Sequence, residues 1–263
     1  CVITNIGTCH LENLGDRDGV LKAKTEIFQS MKPNGHIVLN GDDDKLITVR
    51  EYNGVKPVFF GLNSERDVYA DQIESKGLKG VACRIHLGED AFDVLVPTPG
   101  IHMVYNALAA AAVGRIYGLT IEEIRRGIES LETIRGRFKM IETDKFLVVD
   151  DCYNANPMSM KASLDVLHDG EGRRVAILGD MGELGEDEAA LHEGVGIHAA
   201  TCGIDACVCV GDLAVHIAEA ARKANPDFPV YYEKTRESLL EHLNDYVQKG
   251  DTILVKASHF MKF

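Results

Sequence analysis

From about residue 145 the chain settles into one rhythm. The runs "FLVVD", "RVAILG", "ACVCVG", "PVYYE" and "DTILVKAS" alternate with segments of helix length. A strand that is apolar on both of its faces needs cover on both sides, and a helix between successive strands makes each connection a crossover. The pattern therefore predicts a βαβ series building a parallel sheet, with ligands expected at the carboxyl ends of its strands. Polar residues directly after such a run become candidates for a site. The densest group is "VVDDCYNANP", where Asp150, Asp151, Tyr153, Asn154 and Asn156 crowd the end of the first strand. Asn156 also reads as the N-cap of the helix "MSMKASLDVL", with Pro157 at the first helical position, where its missing N–H costs nothing.

The first half is less uniform. "CVITNIG" and "HIVLNG" read as strands around a helix "DGVLKAKTEIFQSM" that Pro33 and Gly35 end, which makes another βαβ unit. Residues 56 to 97 carry short strand-like runs with turn residues between them, so an antiparallel extension is expected there. Two helices follow, "HMVYNALAAAAVGRIYG" and "TIEEIRRGIESL", the second opened by a capping box of Thr120 and Glu123. The segment "ETIRGRF" shifts to charge and glycine between two compact patterns. The boundary is placed there, giving domains 1–134 and 135–263.

Composition excludes some classes of function. A net charge of -13 disfavours nucleic acid or an anionic membrane as a bulk partner. The seven cysteines are irregularly spaced and odd in number, and several sit in apolar runs, so they read as reduced core residues of a cytoplasmic protein. No run of roughly eighteen apolar residues is present.

Other stretches admit two readings. The phosphate-cradling pattern GxxxxGK followed by Ser or Thr does not occur. "GDMGELGED" places three glycines between a strand and a helix, but its GxxGxxG spacing and its acids Asp180, Glu183, Glu186 and Asp187 would repel a pyrophosphate. An acidic loop suited to an ammonium group is the better reading. His10 and Glu12 follow a strand, Lys24 lies on the next helix, and Asp42, Asp43 and Asp44 follow another strand. These could hold Mg²⁺, or they could be a structural histidine, a solvated lysine and a capped turn.

Taken together, "ITNIGTCHLENLG", "AKTEIF", "VLNGDD", "PGIHMVYNALAA", "GRFK", "DDCYNANPMSM" and "LGDMGELGEDEAALHEGVG" resemble the Mur ligase family across nearly the whole chain. The resemblance implies a fold: the C-terminal part of a P-loop-type central ATPase domain, then a Rossmann-like domain that brings the amino-acid substrate. It further implies that the phosphate loop lies upstream of Cys1, in an N-terminal portion of the same protein. Within the family, "YNANP" and "LGDMGELG" point to ATP-dependent addition of D-alanyl-D-alanine to UDP-N-acetylmuramoyl-tripeptide through an acyl-phosphate, in peptidoglycan precursor synthesis. The chain alone is then expected to be inactive. Other expectations stay open: another Mur or folylpolyglutamate-synthase-like ligase, or a nucleotide-binding remnant without catalysis.

Carried onto this sequence, the resemblance makes His10 a ligand of Mg²⁺ and Lys24 a lysine that is often carbamylated. A buried Lys24 with a lowered pKa would suit that chemistry. Asn106 matches an adenine contact, while Arg137 and Asp151 match groups that hold the γ-phosphate and the ribose. Tyr153, Asn154 and Asn156 line the nucleotide and dipeptide cleft, and Arg137 couples domain closure to ATP. Two departures stand out: Met103 follows His102 where many members have Asn, and "KASH" replaces a terminal "KGSR", with Ala257 and His259 for Gly and Arg.

Overall fold

The computed structural model describes every residue of the 263 except Cys9 and His10. The chain divides into two compact units, Cys1–Gly7 with Leu14–Glu132, and Thr8–Asn13 with Thr133–Phe263.

β1 (Val2–Ile3) opens the first unit, α1 (Leu11–Leu14) falls largely in the second, and α2 (Arg17–Thr25), β2 (Val38–Asn40), β3 (Val58–Gly61), β4 (Val68–Ser75), β5 (Val81–Leu87) and β6 (Asp90–Val96) belong to the first. The six strands lie in sequence order. β1 to β4 pair in parallel, and only β4, β5 and β6 are antiparallel. The antiparallel extension thus begins one strand later than the turn-rich spacing suggested. The predicted helix after β1 is shorter too. It is α-helical only to Thr25, whose hydroxyl binds the Leu21 and Lys22 carbonyls, and a 3-10 turn carries it to Ser30.

α3 (Ile101–Ile116) packs on β2 through β6, and its alanines let it lie close to the sheet. α4 (Ile121–Glu129) begins at the expected box: the Thr120 hydroxyl accepts from the Glu123 amide, and the Glu123 carboxylate accepts from the Thr120 amide at 2.8 Å. Gly114 permits the close approach of α3 and α4, since a Cβ there would stand 2.8 Å from Ile124.

The second unit holds β7 (Lys139–Glu142), β8 (Leu147–Asp150), α5 (Pro157–His168), β9 (Arg174–Gly179), α6 (Glu188–Thr201), β10 (Ala206–Val210), α7 (Ala214–Ala224), β11 (Val230–Glu233), α8 (Arg236–Tyr246) and β12 (Thr252–Lys256). The sheet order is β11-β10-β9-β12-β8-β7, parallel except for β7. The expected parallel sheet is present. β7 was not anticipated, because its four residues are all exposed and two of them are charged, and it forms by antiparallel pairing with the edge of β8.

Strands step in one direction from β8 through β9 and β10 to β11, so right-handed crossovers place α5, α6 and α7 on one face, where they pack together. The return from β11 to β12 runs the other way. α8 accordingly covers the opposite face, with Leu239 against Val175, Ile177, Val208 and Ile253. The interleaved residues Ala176, Leu178, Cys207, Cys209 and Leu254 are buried as well. This two-sided burial is the reason the runs read as uninterrupted apolar sequence. Among the described residues, no helix is long and apolar enough to cross a membrane.

Candidate functional site

The carboxyl ends of β8, β9 and β12 bring together the polar residues of the second unit. β8 ends at Asp150, and the chain then turns through residues 151–156 into α5. Asn156 caps that helix, accepting from the Ser159 amide at 2.9 Å, with Pro157 at the first helical position. Asp151 is the hub of the turn. Its Oδ2 accepts from Lys256 Nζ at 2.6 Å and from Ser163 Oγ at 2.8 Å, and its Oδ1 accepts from the Phe138 amide at 3.2 Å. Lys256 Nζ also donates to the Asn154 carbonyl at 3.1 Å. The Lys256 side chain is only 3% exposed, so this is a buried ion pair whose charges are mutually compensated.

The segment before β7 is sewn to the same turn. Gly136 donates its amide to Asp150 Oδ2 at 3.0 Å and accepts from the Tyr153 amide at 2.9 Å. Gly136 needs its positive φ of 75°, and a Cβ there would press on Tyr153. Phe138, buried, takes a φ of 53°, a conformation that non-glycine residues adopt at a cost. Arg137 stands between these two pinned residues. Its guanidinium lies over the Tyr153 ring, 3.9 Å from the centroid, and the His259 ring is 6.0 Å from Tyr153 on another side of the contact. Arg137, Tyr153 and His259 are all exposed. The edge therefore displays a fixed cation and aromatic surface, a combination suited to an anion carried on a flat ligand.

At the end of β9, Asp180 does not serve an incoming ammonium group. Its buried carboxylate accepts from the amides of Asp212, Leu213 and Ala214 and so caps α7 from a distance. Gly211 makes room for it, because a Cβ there would sit 2.3 Å from Asp180 Oδ1. Burial pushes the Asp180 carboxyl upward against those three donors. Met181 donates its amide to His192 Nε2 at 3.0 Å, while His192 Nδ1 lies 2.6 Å from the Glu188 carbonyl. That pairing fixes a neutral ring protonated at Nδ1, and burial holds the imidazole below its usual range. Of the predicted acidic loop, Glu183, Glu186 and Asp187 remain exposed.

In the first unit, Asn106 lies on α3 and lines an apolar groove of about 480 Å³ between α3 and α4, with Met103, Ala107, Ala110, Ile124 and Leu131 among its walls. Its amide meets the Met103 sulfur at 3.4 Å, a weak acceptor. Lys24 is exposed, and its ammonium donates to the Asn5 carbonyl just past β1 at 2.9 Å. The expected burial of Lys24 is thus corrected: α2 ends one residue later, and its last turn faces outward. Asp43 is a turn and cap residue, accepting from the amides of Ile6, Lys45 and Leu46, and Asp44 pairs with Arg17. His10 lies outside the described residues. Among the described residues, no cluster of three or more His, Cys, Asp or Glu could hold a metal ion.

The structure thus brings Arg137, Asp151, Tyr153, Asn154 and Asn156 to one edge of the second unit, and places Lys24 and Asn106 in the first. Lys256 escaped the sequence reading. A lysine inside the apolar run "DTILVKAS" was the available signal, since a cation in a buried strand needs a partner.

Comparison with known proteins agrees with this arrangement. The family model described as "Mur ligase middle domain" matches residues 1–114, and the one described as "Mur ligase, glutamate ligase domain" matches residues 136–259. A relative from Bacillus subtilis (strain 168), named UDP-N-acetylmuramoyl-tripeptide--D-alanyl-D-alanine ligase, is 34% identical over 99% of this chain and 56% of its own length. Among solved structures, MurF from Acinetobacter baumannii superposes with a TM-score of 0.89 at 32% identity, covering 99% of this chain and 56% of that one. MurF ligase from Thermotoga maritima in complex with ADP gives 0.83 at 26% identity, covering 99% and 58%. The chain spans about half the length of the curated relatives it matches. It belongs to the Mur ligase family.

Proposed function

We propose that this Mur ligase chain forms the nucleotide edge and the acceptor-amine domain of an ATP-dependent ligase that joins D-alanyl-D-alanine to UDP-N-acetylmuramoyl-tripeptide. The observation that carries the reading is the Arg137–Tyr153 stack at the carboxyl edge of a parallel sheet, built on the "DDCYNANP" turn. Its support is twofold: relatives bearing that ligase name match almost the whole chain, and one structural neighbour is a complex with ADP.

In the proposed reaction ATP phosphorylates the peptide carboxylate, and the amine of D-alanyl-D-alanine displaces phosphate from the acyl-phosphate. Arg137 presents its guanidinium edge to the γ-phosphate, held flat by Tyr153 so that little side-chain freedom is lost on binding. Asp151 Oδ1, which accepts from the Phe138 amide, keeps a second lone pair to meet a ribose hydroxyl. Asn106 offers an amide to the edge of a purine against apolar groove walls. The dipeptide meets Tyr153, Asn154 and the turn that Asn156 closes.

Mg²⁺ belongs to the same proposal. His10 and Lys24 are its ligands on this chain, and Lys24 could contribute an oxygen only as a carbamate, since its ammonium is a donor. The exposure of Lys24 leaves the amine open to CO₂. When bound, the metal neutralises charge on the transferred phosphoryl group.

The test is ligation by the complete protein with UDP-N-acetylmuramoyl-tripeptide and ATP. D-alanyl-D-alanine as acceptor is expected to give product, and glutamate and diamino acids are expected to give none. Product with either of the latter alone would replace this reading by that of another Mur ligase.

A further inference from the structure

We infer that Lys256 is a positioning residue for the phosphate-facing guanidinium of Arg137, acting through Asp151 and the turn that follows β8. The inference rests on the nucleotide reading above and names a residue that the reading does not use.

An exposed cation stacked on an aromatic ring is held by little more than thermal energy, so the stack alone does not fix Arg137 and Tyr153 in place. Their backbones do the holding. Tyr153 donates to the Gly136 carbonyl, Gly136 donates to Asp150, and Phe138 donates to Asp151. Arg137 is therefore clamped on both sides of its Cα. Each clamp leads back to the 150–154 turn, where the Lys256 ammonium binds the Asp151 carboxylate and the Asn154 carbonyl together, beside the Ser163 hydroxyl on the same carboxylate and the Asp151 amide on the Val255 carbonyl.

The strain points the same way. Phe138 keeps a φ of 53° only while its amide has an acceptor that rewards the conformation, and that acceptor is Asp151 Oδ1. Without Lys256, Asp151 would be a largely buried carboxylate with only the Ser163 hydroxyl and the Phe138 amide as donors. It would turn toward water and release Phe138. Lys256 lies at the end of β12, at the centre of the sheet, so its position is fixed by the core on both faces. A rigid strand thus sets the place of a surface cation.

Two measurements on Lys256→Gln test this. In this chain, the side-chain protons of Arg137 should resonate upfield because they lie over the Tyr153 ring, and in Lys256→Gln that shift should collapse toward the random-coil position. In the complete protein, the same substitution should raise the KM for ATP by about tenfold or more, while Lys256→Arg restores part of the loss. An Arg137 shift unchanged in folded Lys256→Gln overturns the inference. So does an unchanged KM for ATP. Should Lys256→Gln not fold, Ser163→Ala removes a milder donor from the same Asp151 oxygen and should move the Arg137 signal part of the way; no movement overturns the inference. If the complete protein does not ligate at all, the nucleotide reading fails, and the Arg137 signal still decides whether Lys256 positions it.

Discussion

Two stretches of this chain look alike as letters: "LNGDDD" in the first unit and "VVDDCYNANP" in the second, each a run of acids after an apolar strand. In the first, Asp42 accepts from the Leu62 amide, Tyr105 and Arg66, Asp43 accepts three amides, and Asp44 pairs with half-buried Arg17. Every carboxylate there is spent on neighbouring backbone or a surface arginine. In the second, the hub acid is paired with a buried lysine, and the turn it organises displays Arg137 and Tyr153 outward. The difference lies in what the acids hold, and it separates a turn closed on its own backbone from one that displays a cation and an aromatic ring.

The sharpest way to break that contrast is to remove the lysine. Lys256→Met should destabilise the second unit by about 3–5 kcal/mol, because it strands a largely buried carboxylate, and chemical denaturation would show the loss. Asp43→Ala should cost the first unit less, about 2 kcal/mol, since it removes a cap of three amides and leaves no unpaired charge buried. Equal losses in the two variants would erase the distinction between the turns.

The third acidic strand end adds a pH dependence. His192 is held below its usual pKa by burial, so the unfolded chain takes up the proton first, and stability should fall as pH drops below about 6.5. Asp180, pushed up by burial, works in the opposite sense nearer pH 4, where the folded chain binds the proton first. Urea midpoints at about pH 7 and 5.5 should therefore differ in the wild type and converge in His192→Gln. Arg137→Ala should have the smallest effect on stability, within about 0.5 kcal/mol by thermal unfolding, because the side chain is exposed.

Much of this was legible in the sequence where one local rule decides the outcome. The capping box at Thr120 and the N-cap at Asn156 follow from short spacing, and the parallel sheet follows from apolar runs between helices. What escaped depends on partners far along the chain. The Lys256–Asp151 pair spans 105 residues, and Asp180 caps a helix more than thirty residues away. Nothing in "LGDMGELG" tells an inward acid from an outward one. β7 escaped for a related reason, since its pairing comes from β8 and not from its own letters. The outward Lys24 matches the plain reading of a lysine on a helix and not the burial that the resemblance suggested for it.

The most direct test of the account is the steady-state kinetics of the complete protein carrying Arg137→Ala, with ATP, UDP-N-acetylmuramoyl-tripeptide and D-alanyl-D-alanine. The account predicts a fall in kcat or a rise in the KM for ATP of about tenfold or more, with the fold intact. Unchanged kcat and an unchanged KM for ATP would contradict it.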